Sequence, residues 1–166
     1  MSQPTDAPPM PQPGPEHQRL MDHVGTWDVE CLFFTDPSAD PVRCAAVETV
    51  ERFGPFYTLS HFDAPDMMGM PFQGRGIRGY SPAARHYDST WIDTLTPDLF
   101  HFTGRYEDDV LVLHAKAPDP MSQVLTTWRS TERWIDADTR HFEMFMKIPT
   151  SGQEIQVMSY TSRRRR

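Results

Sequence analysis

The chain has 166 residues, a net charge of -7 and 38% hydrophobic residues. That is the length of one domain with material for a sizeable core, and the acidic balance argues against a nucleic-acid surface. No stretch is long and apolar enough to span a membrane as a helix, and Met1–Gly14 lacks the basic start and apolar run of a signal peptide. With no export signal, the two cysteines are expected as reduced thiols and the protein as cytoplasmic.

Met1–Gly14 (MSQPTDAPPMPQPG) reads as a disordered or polyproline-like tail. The stretch from Pro15 to Val24 predicts a short helix: Pro15 suits the first helical position, Leu20, Met21 and Val24 form one apolar face, and Gly25 ends it. Beyond it the periodicity switches to two. Strands are predicted at Thr26–Thr35, Val42–Phe53, Phe56–Phe62, Gln73–Tyr80, His86–Asp93, Leu99–Tyr106, Val110–Lys116, Gln123–Ile135, Thr139–Lys147 and Glu154–Thr161. Turn residues separate them, among them Gly54-Pro55, Ser81-Pro82, Glu107–Asp109, Asp136–Asp138 and Ser151-Gly152. Such short spacing forces antiparallel neighbours. About ten strands in one small domain require closure or a second sheet, because open edges are a liability; a meander barrel is the simplest solution and a two-sheet sandwich the alternative.

Hairpin arithmetic assigns faces. About a turn at Asp136–Asp138, Trp128, Ser130, Glu132 and Trp134 share a face with Phe142, Met144 and Met146, as core or cavity; Arg129, Thr131, Arg133, His141 and Glu143 share the solvated one. About Glu107–Asp109, Phe100, Phe102, Leu111 and Leu113 share a face, and His101 and His114 meet on the other. Cys31 and Cys44 flank their turn symmetrically and are expected as neighbours across a hairpin, packed as small hydrophobes.

Gly74-Arg75-Gly76-Ile77-Arg78-Gly79 matches G-x-G-x-x-G in letters only. No helix follows to receive a pyrophosphate, so the glycines are expected to leave room on a strand for a bulky neighbour, Trp91 or Tyr87. Tyr87, Ser89, Trp91 and Asp93 alternate onto one face and could line a polar-ended pocket; Asp93 could equally cap a turn. Asp66–Phe72 is a Met-rich loop, either a portal or a flap over a barrel end. No CxxC, His-x-His or HExxH is present, so no metal or cofactor is assigned. Arg163–Arg166 reads as a solvated tail.

The short helix followed by Gly25-Thr26-Trp27 on the first strand resembles the calycin superfamily, which includes lipocalins and fatty-acid-binding proteins. In many of these an Arg from the last strand lies over the Trp, which the resemblance assigns here to Arg163 or Arg164. A longer resemblance, over roughly Glu16 to Arg163, is to the bacterial family catalogued as domain of unknown function 1579. It is carried by Glu16-His17 with Leu20, Gly25-Thr26-Trp27, Gly69–Gly74, Gly79-Tyr80, Tyr87 with Trp91–Asp93, Gly104–Tyr106, Phe142–Met144, and Met158 with Tyr160 and Arg163. Ser81 departs from the Asp frequent after Gly-Tyr in that family. The family implies a calycin-like barrel and supplies no established activity.

The expected architecture is an all-β, single antiparallel calycin-like barrel of about ten strands with a short N-terminal helix. Its tail is set at residues 1–14, the barrel at 15–162 and an Arg-rich end at 163–166. The expected function is binding of a small, partly apolar or amphipathic molecule. The lining would be Met70, Phe72, Tyr80, Tyr87, Trp91, Asp93 and Trp128, with Asp93 as polar anchor and Trp91 as stacking surface. Gly25, Trp27 and Arg163 are the expected structural residues. The alternatives are an enzyme using Asp93 as general acid or base, and a filled barrel acting as an interaction module. Neither nucleic acid nor membrane is expected as a partner, and the chain is expected as a monomer or homodimer.

Overall fold

The computed structural model describes residues 10–35 and 38–166; the Pro-rich tail expected over 1–14 lies outside the described residues as far as residue 9. Pro15 starts the helix α1 (Pro15–Met21), and the Nδ1 of His17 accepts from the Gly14 amide at 3.0 Å, satisfying one donor at the helix start. The helix stops three residues earlier than predicted. His23 and Val24 continue as a tighter turn, their amides bonding the carbonyls of Leu20 and Met21.

Ten strands follow: β1 (Gly25–Phe33), β2 (Val42–Phe53), β3 (Tyr57–Met67), β4 (Met70–Ser81), β5 (His86–Asp93), β6 (Phe100–Glu107), β7 (Val110–Pro118), β8 (Leu125–Asp136), β9 (Thr139–Lys147) and β10 (Glu154–Arg164). Each pairs antiparallel with its neighbours in sequence, and β10 returns to β1 to close the barrel. The closing register runs from Trp27 opposite Arg164 to Phe33 opposite Met158. The predicted meander barrel is therefore the observed fold, and closure leaves no free edge.

Alternation fixes the interior. On β7, Leu111, Leu113, Ala115 and Ala117 are buried and the residues between them are not. Phe100 and Phe102 do the same on β6, and the β8–β9 hairpin pairs Trp128 with Met146, Ser130 with Met144 and Glu132 with Phe142. Cys31 stands directly opposite Cys44, and both thiols are free. Burial, and then the neighbouring thiol, raises the pKa of Cys31, so it sits as an inert small hydrophobe.

Three expectations need correction. The Met-rich stretch is not a loop: β3 continues to Met67 and β4 begins at Met70, leaving only Met68-Gly69 as the connection. Arg163 and Arg164 are strand residues rather than tail, because β10 needs them to pair with Asp28 and Trp27. His101 and His114 do not meet. The β6–β7 register puts His114 opposite Thr103, and His101 bonds Asp88 at 2.9 Å.

Helix α1 covers one barrel end. His17 meets Phe56 and Tyr80 edge-on at 5.2 and 5.7 Å, Leu20 is buried beneath it, and the Tyr87 hydroxyl donates to the Glu16 carbonyl at 3.2 Å. The two hydrophobic clusters lie on either side of the interior, and Trp91 packs against both. One position is set by clearance between strands: a Cβ at Gly104 would lie 1.9 Å from the backbone oxygen of Val112. Gly104→Ala must therefore part β6 from β7. It is expected to lower stability by about 1–3 kcal/mol or more, read as a fall in the urea midpoint.

Candidate functional site

Between the two clusters lies a cavity of about 360 Å³, opening at the barrel end opposite α1. Its walls are the rings of Phe62, Phe72, Trp91, Phe100, Trp128 and Phe142, and its mouth is formed by Phe33, Met67, Met68 and Leu95. The space exists partly because β4 carries glycine where its neighbours carry rings. Gly74 and Gly76 pair with Asp93 and Trp91, and a Cβ on Gly74 would lie 2.1 Å from the Trp91 ring. The glycines thus seat Trp91, as the sequence predicts.

The inner end of the cavity is charged. His23, Glu48, Arg78, Arg140 and Tyr160 face it, with Ser130 beside them. Glu132 lies just behind, 3% exposed, and is the common acceptor. Its Oε1 receives His23 Nε2 and Arg78 Nη1, each at 2.8 Å, and its Oε2 receives Arg140 Nη1 at 3.1 Å. The second Nη of Arg140 donates to Glu48 Oε2. Burial works to raise the Glu132 carboxyl, but the charges of Arg78, His23 and Arg140 outweigh it and hold the group well below its ordinary 4.5. Burial also opposes the charge on Arg78 and Arg140, yet the carboxylates beside them raise both guanidinium groups. Burial, and then Glu48 and Glu132, holds the Tyr160 phenol well above its ordinary value, so it stays protonated as a donor. Arg140 Nε is buried and without a partner among the described residues.

The same region anchors the closure of the barrel. Gly25 has φ +144, and a Cβ there would lie 2.7 Å from Arg164 Nη1. That clearance lets Arg164 bond the carbonyls of Val24 and Asp22 at 2.7 and 2.8 Å while its guanidinium lies 4.2 Å from the Trp27 ring centre. Arg140 lies over the same side chain at 4.5 Å, and Trp27 Nε1 donates to the His23 carbonyl at 2.9 Å. Arg163, the other arginine open to that role, faces outward and pairs with Glu30 at 3.3 Å. The reason is register: Trp27 is opposite Arg164, so only that arginine shares its face.

The predicted lining residues separate into three groups. Phe72, Trp91, Asp93 and Trp128 line the cavity. Tyr80 and Tyr87 do not; their rings pack against each other at a tilt, 5.0 Å between centres, under α1 and support the closed end. Met70 is half-exposed beside the β3–β4 turn and also lies off the cavity. Asp93 sits at the mouth, where its carboxylate accepts from Trp91 Nε1 at 3.1 Å, the amides of Leu95 and Thr96 at 2.9 and 2.8 Å, and the Thr96 hydroxyl. It caps a turn and fixes the Trp91 ring, and the polar end of the chamber lies away from it.

Five cavity-facing residues, His23, Glu48, Arg78, Arg140 and Tyr160, lie outside the sequence prediction. Most carry a periodic signal. Arg78 is in phase with Phe72 and Tyr80, Glu48 with Ala46 and Val50, and Arg140 with Phe142 and Met144, so charges of both signs alternate inward on separate strands. Inward charges that find opposite charges inside are the pattern to look for. His23, in the turn after α1, carries no such signal.

Glu132→Gln should test the charged end. Removing one member of a buried ionic cluster is expected to cost about 3–5 kcal/mol at neutral pH. Because the folded carboxyl titrates below its ordinary 4.5, its contribution is present above that value and fades as pH falls through the folded value. Urea unfolding from neutral pH down to about pH 3 should thus show a smaller acid-dependent loss in Glu132→Gln than in the parent.

Comparison with known proteins gives a fold and a family. A barrel of Mycobacterium tuberculosis, Rv2717c from M. tuberculosis by its description, is 15% identical, with a TM-score of 0.66 over 93% of this chain and 100% of that one. The S-type phycobiliprotein lyase CPES from Guillardia theta is 11% identical, with a TM-score of 0.63 over 91% of this chain and 93% of its own. At such identities the likeness is one of fold alone. No curated protein matches the sequence. The family profile described as protein of unknown function DUF1579 matches residues 12–164, and with the whole barrel inside that match the chain belongs to the DUF1579 family.

Proposed function

We propose that the barrel binds a small, partly apolar molecule in its interior. The observation that carries this reading is an open chamber of about 360 Å³ whose walls are aromatic and whose inner end is polar. Ligand sites have this size and this mix of apolar wall with a few placed polar groups. An interior kept only for stability would be close-packed, because empty space forfeits dispersion contacts. The fold it shares with a phycobiliprotein lyase is in keeping with a barrel that handles a ligand.

Asp93 as a general acid or base is disfavoured by its surroundings, since both of its oxygens are engaged in holding the mouth loop and Trp91. A filled interaction module is disfavoured by the chamber itself.

Trp91 provides the test, because it touches both halves of the wall and its ring borders the cavity. Nile red should brighten on entering the parent protein. Trp91→Ala should weaken that binding by roughly thirtyfold, equivalent to about 2 kcal/mol, while the β-rich circular dichroism spectrum persists. Unchanged dye affinity in a folded Trp91→Ala variant would remove the pocket reading.

A further inference from the structure

We propose that the molecule held in the barrel is an amphipathic anion, its apolar body against Trp91 and Trp128 and its oxyanion head on Arg78. This rests on the reading of the barrel as a binding chamber and specifies the sign of the ligand's polar end.

Arg78 points inward from β4 and lines the cavity, and 19% of its side chain is exposed. A guanidinium carries five N–H donors. Among the described residues the side chain of Arg78 donates only to Glu132, through Nη1, which leaves donors directed at the chamber. Arg140, by contrast, is 2% exposed and uses both Nη groups on carboxylates. Arg78 is thus the cation with capacity to spare.

The groups around Arg78 point the same way. His23 Nδ1 lies 3.1 Å from the Arg19 carbonyl and its Nε2 lies 2.8 Å from the Glu132 carboxylate. The inner end sets two guanidinium groups, Arg78 and Arg140, against two carboxylates, Glu48 and Glu132, with the His23 imidazole beside them. Tyr160 adds a neutral phenol that donates. Glu48, the acidic group on the cavity wall, is bonded to Arg140 and does not oppose Arg78. A negative group over Arg78 would accept from the donors that Glu132 leaves free. A neutral hydroxyl head would accept from these donors without the charge assistance an oxyanion gives, and a cationic head would meet like charge. The aromatic walls above supply the apolar half of the site.

Decanoate, decanol and decyltrimethylammonium share an alkyl tail and differ in head charge, so calorimetric titration of the full chain with each one separates tail from head. Decanoate should bind about tenfold or more tighter than decanol, and the cation should bind weakest. Arg78→Met should bring decanoate and decanol to within about threefold of each other, and Arg78→Lys should restore part of the gap; thermal melts confirm that each variant is folded. Decanol binding as tightly as decanoate, or the cation binding tightest, overturns the anionic head. Full preference for decanoate in Arg78→Met overturns the assignment to Arg78. If none of the three binds the parent, the chamber reading itself fails, and that result is distinct from a failure of the charge preference.

Discussion

Glu132 is an ionised carboxylate inside a closed barrel, and three side chains from different parts of the chain converge on its two oxygens: His23 from the turn after α1, Arg78 from β4 and Arg140 from β9. Left alone, such a charge would cost several kcal/mol to bury. With three donors it becomes the point where the helix segment and two distant strands are held to β8. The cluster gives the barrel a polar inner end, and the apolar space begins above it. Replacing the whole set by apolar side chains need not weaken the fold; what the set does in this structure is hold two guanidinium groups in place beside a cavity.

Trp27 joins this cluster to the closure of the barrel. Its ring lies under both Arg140 and Arg164, and its indole N–H reaches the carbonyl of His23. Arg164 in turn fastens the end of the helical turn through two carbonyls. The Gly-x-Trp at the start of β1 thus has a mechanical meaning: glycine clears the path of the arginine, and the arginine covers the tryptophan. The strand that closes the barrel, the segment that covers its end and the charged floor of the chamber meet at one indole.

The architecture was largely legible because period-two alternation and turn residues are local properties. Strand number, meander order and the inward face of β8 and β9 follow from them directly. Trp91 and its glycines were legible for the same reason, being a bulky residue and an absence of side chain on adjacent strands. The inner end of the site was not, because it depends on which strands come together around the barrel. Glu48 and Arg140 are 92 residues apart and bond only once the barrel closes. The choice between Arg163 and Arg164 needed the β1–β10 register, which no hairpin count supplies. Tyr80 and Tyr87 had the right phase for the cavity but sit one layer too low, under α1. Phase reports the face of a strand and says nothing of depth along the barrel axis.

The central claim is that the barrel is hollow above its ion-paired end. Crystals of the protein pressurised with xenon test it most directly, since apolar cavities admit xenon and packed cores do not. Xenon density is expected among Phe72, Trp91 and Trp128. Those rings closed against one another, with no xenon between them, would contradict it.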